Sequence, residues 1–318
     1  YASGIYGDAI PYLQSAVDAG EEDLYRHRLI ESLLRTQQFD EGRAALAALK
    51  AESGNTYESY MLEAFLANRE SILAGASGDA SGESSGIDRY RTSLQAAMLE
   101  GPEMSRPYEL LVESYLSDYL KSRDEALLTL ARNVIDNAGP EVRESEALML
   151  SNADVLEAQN NNRRAVQDME SYLRSNPQAD AVRDRLIAAH VNSGSPDRAQ
   201  DVIRAAIVIN PDSPQWREKL GMFLEDEGDV KGASQAYTEA FELYPSQGLL
   251  LRLSDATRSA EPWDHEGILK MIQKHQRLLE KDAILQSIHA KSLARLGAEA
   301  QSRSRIRQAK DTFDRQIA

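Results

Sequence analysis

The 318-residue chain contains no cysteine. Disulfides, thiolate metal sites and a cysteine nucleophile are therefore excluded, though the compartment is not fixed, since cysteine-free proteins occur on both sides of a membrane. Proline (10) and glycine (18) are sparse, so few positions can interrupt helices. No run of 18 apolar residues is present, so the sequence offers no membrane-spanning helix. It begins at Tyr1 without a basic-then-apolar leader. Any signal peptide or upstream domain is expected to lie outside it, and the sequence assigns no localisation. The five histidines (His27, His190, His265, His275, His289) include no i, i+4 pair of the kind that holds a metal on a helix. Strand-like alternation is missing, so no glycine loop follows a strand to cradle a phosphate, and no cofactor is expected.

Charge is plentiful but one-sided. The net charge is −15; residues 268–318 hold 11 Lys/Arg against 5 Asp/Glu, and residues 1–267 hold the remaining 25 against 46. An acidic body with a basic C-terminal segment disfavours nucleic acid and anionic lipid as partners of the body. The basic stretch "SRSRIRQAK" at 302–310 has no interleaved aromatics and reads as a solvated capping helix.

A 34-residue period organises the middle of the chain. Three consecutive units, 146–179, 180–213 and 214–247, superpose Pro177, Pro211 and Pro245. They also superpose Ala165, Ala199 and Ala233, and Met169, Ile203 and Tyr237. Each unit reads as two helices. Leu220, Phe223 and Leu224, then Ala233, Ala236, Tyr237, Ala240 and Phe241, fall at helical spacing. Gly228 suits a left-handed residue ending the first helix, Asp229 can cap the second, and Pro245 cannot continue it. Small residues at Ala153, Gly221, Ala199 and Ala233 let antiparallel helices approach closely, with Ile203 and Tyr237 filling the hollow.

The set Leu220, Gly221, Gly228, Ala233, Tyr237, Ala240 and Pro245 resembles the tetratricopeptide repeat. That family's signature is Leu-Gly in the first helix, then Ala, an aromatic, Ala and a closing Pro. The likeness is close in 214–247, good in 180–213 and looser in 146–179, where Tyr172 replaces the second small residue. Degenerate repeats are expected in 1–145, on Gly42 in "QQFDEGRAAL", on Ala9 in "GIYGDAIPYL" and on the Ala97-to-Pro102 spacing. The sequence is thus expected to begin inside a repeat. Further degenerate repeats are expected in 248–318, through "PWDHEGILKMIQKH", with Gly267 in register, and "SLARLGAEAQSR", ending in a basic capping helix. The resemblance implies an all-α fold: one right-handed α-solenoid of stacked antiparallel helix pairs over 1–318, about seventeen helices in eight pairs. The small-residue stretch "GASGDASGESSG" at 75–86 is expected to be a flexible loop.

Chemistry is hard to find. Gly82 to Gly86 fits the literal G-x-S-x-G string, but a nucleophile elbow needs a preceding strand. The resemblance instead implies a noncatalytic scaffold or adaptor that binds a protein or peptide on the concave face lined by first helices. Register puts Asp154, Glu157, Asp184, Asn192, Glu218, Met222, Glu225 and Asp226 there. Family members that clamp a peptide's terminal carboxylate use Lys, Asn and Arg; here Asp154, Ala188 and Met222 hold the asparagine positions, which argues against such a clamp. A Lys/Arg-rich segment fits better by charge. The alternative is a structural module that associates with itself or with complex subunits through its ends. An enzyme with an unrecognised groove site is a third reading.

Overall fold

A computed structural model describes residues 3–20, 23–259, 265–274 and 283–317. Among them every regular element is a helix. The chain divides into two compact units, Tyr1–Val182 and Arg183–Ala318.

The first unit holds α1 (Ser3–Asp18), α2 (Asp23–Arg35), α3 (Phe39–Ser53), α4 (Tyr57–Ser77), α5 (Ala80–Glu100) and α6 (Ser105–Ser122). It continues through α7 (Glu125–Asp136), the single turn α8 (Pro140–Arg143), α9 (Glu146–Ala158) and α10 (Asn162–Ser175). The unit boundary falls inside α11 (Asp180–Asn192). The second unit continues with α12 (Pro196–Ile209), α13 (Pro214–Asp226), α14 (Val230–Leu243), α15 (Gln247–Ser259), α16 (His265–Lys274), α17 (Ala283–Arg295) and α18 (Glu299–Ile317). Hairpins such as α4–α5, α6–α7, α9–α10, α13–α14 and α17–α18 pack as pairs, and each stacks on its chain neighbour. The three 34-residue repeats correspond to α9–α10, α11–α12 and α13–α14.

Local chemistry sets the helix ends. Gly194 (φ 69) and Gly228 (φ 82) adopt the left-handed conformation between the helices of their pairs. Asp229 caps α14 by accepting from the Gly232 N–H, and Pro196 and Pro214 occupy the first turns of α12 and α13. Thr56 opens α4 with a reciprocal capping box to Ser59. Helix α14 stops at Leu243, two residues before Pro245.

The repeating alanines lie in the core. Ala165, Ala199 and Ala233 are fully buried, as are Met169, Ile203 and Tyr237. A Cβ on Gly221 would stand 2.5 Å from the Tyr237 ring, so this glycine lets α13 lie against α14. Gly42 plays the same part on α3, where a Cβ would meet Leu34 at 2.6 Å. In the second unit Ile187, Ala199, Ile203, Ala206 and Trp216 form one cluster, and Tyr237, Phe241, Leu250 and Leu253 belong to the next. In the first unit Ile30, Leu34, Leu46, Leu49 and Leu66 join α2, α3 and α4.

Residues 75–86 depart from expectation. They are not a flexible loop: α4 runs to Ser77, Gly78 turns the chain (φ 81), Asp79 caps and α5 begins at Ala80. The small residues serve close packing. Ser71 donates to the Glu83 carbonyl at 2.9 Å, and a Cβ on Gly86 would fall 2.6 Å from that of Ser71. The Gly-Ser composition that suggests a linker here permits two 21-residue helices to cross at backbone distance. Ser84 lies on α5 with α4 before it, so the strand an elbow requires is replaced by a helix.

Candidate functional site

In the first unit, α6 and α9 are first helices of successive pairs and lie side by side. Between them runs an open groove of about 710 Å³. One stripe of α6 lines it from Arg106 to Leu120, and one stripe of α9 from Ala147 to Ala158. Both stripes recur at three- and four-residue steps, so the groove follows the helices lengthwise. Its apolar surface comes from Leu116, Leu120 and Leu150, over the fully buried Val112. The charged residues lining it are Glu109, Glu113, Asp154, Glu157 and Arg106, with the hydroxyls of Ser117 and Ser151 beside them. Glu109 is held in place by Ser105 and Arg106; Glu113 and Asp154 are exposed.

Two of the sequence-predicted residues, Asp154 and Glu157, are therefore brought together. The other six lie on α11 and α13, where the surroundings differ. Asp184 forms an ion pair with Lys219, whose ammonium also sits 4.6 Å from the Trp216 ring centre. Glu218 pairs with Arg252 of α15 at 3.0 Å. Glu225 accepts from the Tyr237 hydroxyl at 2.9 Å. Burial, and then that bond to a carboxylate, push the Tyr237 hydroxyl well above the usual tyrosine range. Met222 is exposed, and Asn192 and Asp226 stand exposed at the last residues of α11 and α13. On these helices Asp184 and Glu218 are thus paired with the chain's own cations.

Two features escaped the sequence. Lys219 and Arg252 neutralise their partners across neighbouring helices, a tertiary pairing no repeat register reveals. The α6 wall carries none of the repeat's signature residues; the available signal was that Leu116 and Leu120 extend its apolar stripe past the buried face of Tyr108, Leu111, Val112, Tyr115 and Tyr119.

Two other depressions occur in the first unit. One of about 370 Å³ between α2 and α4 is lined by Leu24, His27, Tyr57, Met61 and Phe65 among others. Another of about 600 Å³, between α3 and α5, bears Arg43, Lys50 and Arg89. Those cations already pair with Glu70 and Glu63, and the hydrogen bond to Glu70 raises the Arg43 pKa. His190 and His289 are buried, and His275 lies outside the described residues. Among the described residues no group of three His, Cys, Asp or Glu is placed to hold a metal ion, and no helix is long and apolar enough to cross a membrane.

Residues 185–247 match the family model of the tetratricopeptide repeat. No curated protein matches the chain. Among solved structures, the chain is similar to MamA protein at 13% identity, with 55% of this chain and 95% of that one covered and a TM-score of 0.41. It is similar to a tetratricopeptide repeat protein from Parabacteroides merdae at 14% identity, with 79% and 93% covered and a TM-score of 0.37. TTC0263, a thermophilic protein of the same repeat class from Thermus thermophilus, aligns at 16% identity over 74% and 98%, with a TM-score of 0.31.

Proposed function

We propose, from the match of residues 185–247 to the tetratricopeptide-repeat model, a noncatalytic scaffold that binds a partner protein or peptide along its first helices, chiefly in the α6–α9 groove. The observation that carries this reading is the groove's composition: apolar surface from Leu116, Leu120 and Leu150 beside four carboxylates and one arginine. Such a surface favours a segment in which Lys or Arg alternates with apolar residues. Apolar contact supplies most of the affinity, because each exposed ion pair contributes only about 0–1 kcal/mol. The carboxylates supply attraction at a distance and choice of partner. On α13, Met222, Glu225 and Asp226 offer a smaller acidic and apolar patch of the same kind.

Fluorescence anisotropy with a peptide library tests it. Lys/Leu-alternating peptides are expected to bind the wild-type chain and to lose most of their affinity for an E113K/D154K variant that keeps its helical signal. Equal affinity for both proteins at low salt would remove the groove from the binding site.

A structural role through self-association is the second reading. It is favoured by the separation of charge between the acidic body and the basic C-terminal helix.

A further inference from the structure

Helix α18 is built inside out. Its side chains that face α17 include two buried hydroxyls: Ser302 donates to the Ala290 carbonyl at 2.8 Å, and Thr312 exchanges hydrogen bonds with Gln286 at 3.2 Å. Among its described side chains, the largest apolar ones point the other way. Ile306 is 57% exposed and Phe313 55% exposed. A solvated capping helix would bury these two and expose the hydroxyls. Arg307 and Lys310, also exposed, stand on the same outward side. The outward face is therefore apolar and basic, on a molecule whose remaining body is strongly acidic.

The α6–α9 groove is its complement. It is apolar along its floor and acidic along its rim. The lengths agree as well. From Glu109 to Leu120 the α6 wall extends about 16 Å, and from Arg303 to Phe313 the α18 face extends about 15 Å, at 1.5 Å per helical residue.

We propose that the groove between α6 and α9 receives the Ile306–Phe313 face of α18 from a second copy of this chain. The inference rests on the groove reading above and names its occupant. Ile306 and Phe313 lie against Leu116, Leu120 and Leu150, while Arg307 and Lys310 meet the acidic rim at Glu113. The two surfaces are different, so a single such contact is head-to-tail and leaves one groove and one helix available for a further contact. Association therefore rises with concentration. Because opposite charges guide it, salt opposes it.

Sedimentation velocity on the full chain over a concentration series tests the proposal. The wild-type protein should sediment faster as concentration rises, and raising salt from about 0.05 M to about 0.5 M should weaken association roughly tenfold. A groove variant, E113K/L120K, and a helix variant, I306E/F313E, should each remain monomeric. All four positions are exposed, so the fold should persist, which circular dichroism verifies. The decisive sample is their equimolar mixture. Each variant retains the surface the other has lost, so the mixture should form a dimer that does not grow. A wild-type chain that stays monomeric throughout, association by either variant alone, or a mixture that fails to pair would overturn the proposal. The salt titration needs no variant and judges it even if one misfolds; association unchanged by salt counts against it. A labelled peptide of residues 299–317 separates the two readings. If it binds the groove while the whole chain stays monomeric, the groove remains a binding site and the second copy is rejected. If Lys/Leu peptides also fail to bind, the groove reading falls too.

Discussion

Gly221 and Tyr237 make one device: the ring occupies the volume that a Cβ on residue 221 would need, 2.5 Å away. The alanines at 199 and 233 act likewise, each fully buried where two helices approach. Enlarging any of them forces the helices apart. A199L and A233L should each cost about 1–3 kcal/mol, read as a lower midpoint in urea; unchanged midpoints for both would contradict the packing described. A second residue-scale expectation concerns His289. Its imidazole on α17 is buried, its Nδ1 has no hydrogen-bond partner among the described residues, and desolvation, helped by the Arg305 charge, lowers its pKa to about 4. The unfolded chain protonates this residue near its ordinary value of 6.5. Between 6.5 and 4 the unfolded state therefore binds a proton that the folded state refuses. The contribution is fully present above about pH 6.5 and is lost as pH falls toward 4. H289Q should flatten the slope of melting temperature against pH in that window relative to the parent; an identical slope would mean that His289 is not the group responsible.

At the scale of elements, the repeats between 146 and 247 were legible because their punctuation is chemical. A glycine at positive φ, a capping aspartate and a proline each have one common use at a helix end, and Gly228, Asp229 and Pro245 fill those uses. The α4–α5 hairpin was not legible, for a definite reason: glycine and serine are enriched both where a chain must be flexible and where two backbones must touch. Composition cannot separate the two cases, but packing can, and Gly86 against Ser71 decides it. Limited proteolysis should consequently spare residues 75–86, whose backbone is held in helices on both sides of a single turn; early cleavage there would contradict the hairpin. The site divided along similar lines. Asp154 and Glu157 were readable from register, since register fixes which face of α9 they occupy. Their opposite wall on α6 was not, because no signature residue marks that helix. The neutralisation of Asp184 by Lys219 and of Glu218 by Arg252 joins residues about one repeat apart in sequence, and only the stacking of neighbouring helices brings them together.

At the scale of the whole molecule, the packing described within each unit is made between chain neighbours, hairpin on hairpin. In such arrays stability is approximately a sum of local terms and nearest-neighbour interfaces, so damage in one place need not dissolve the rest. The sequence supplies a reporter for this. Both tryptophans, Trp216 and Trp263, lie in the second unit, and the first has none. Trp216 is buried beside Ile203 and Ala206, so its fluorescence follows the second unit's core. Far-ultraviolet circular dichroism follows the helices of both units. Two variants then make a controlled pair. G86V forces a branched side chain against the Ser71 backbone in the first unit, where even a Cβ comes within 2.8 Å of a backbone atom. A233L overfills a fully buried position in the second. In urea, A233L should move the tryptophan transition to lower concentration. G86V should lower the early part of the circular dichroism transition and leave the tryptophan midpoint nearly unchanged. Coincident shifts of both probes in both variants would show one cooperative unit spanning residue 182, and the nearest-neighbour description would have to be replaced by a two-state one.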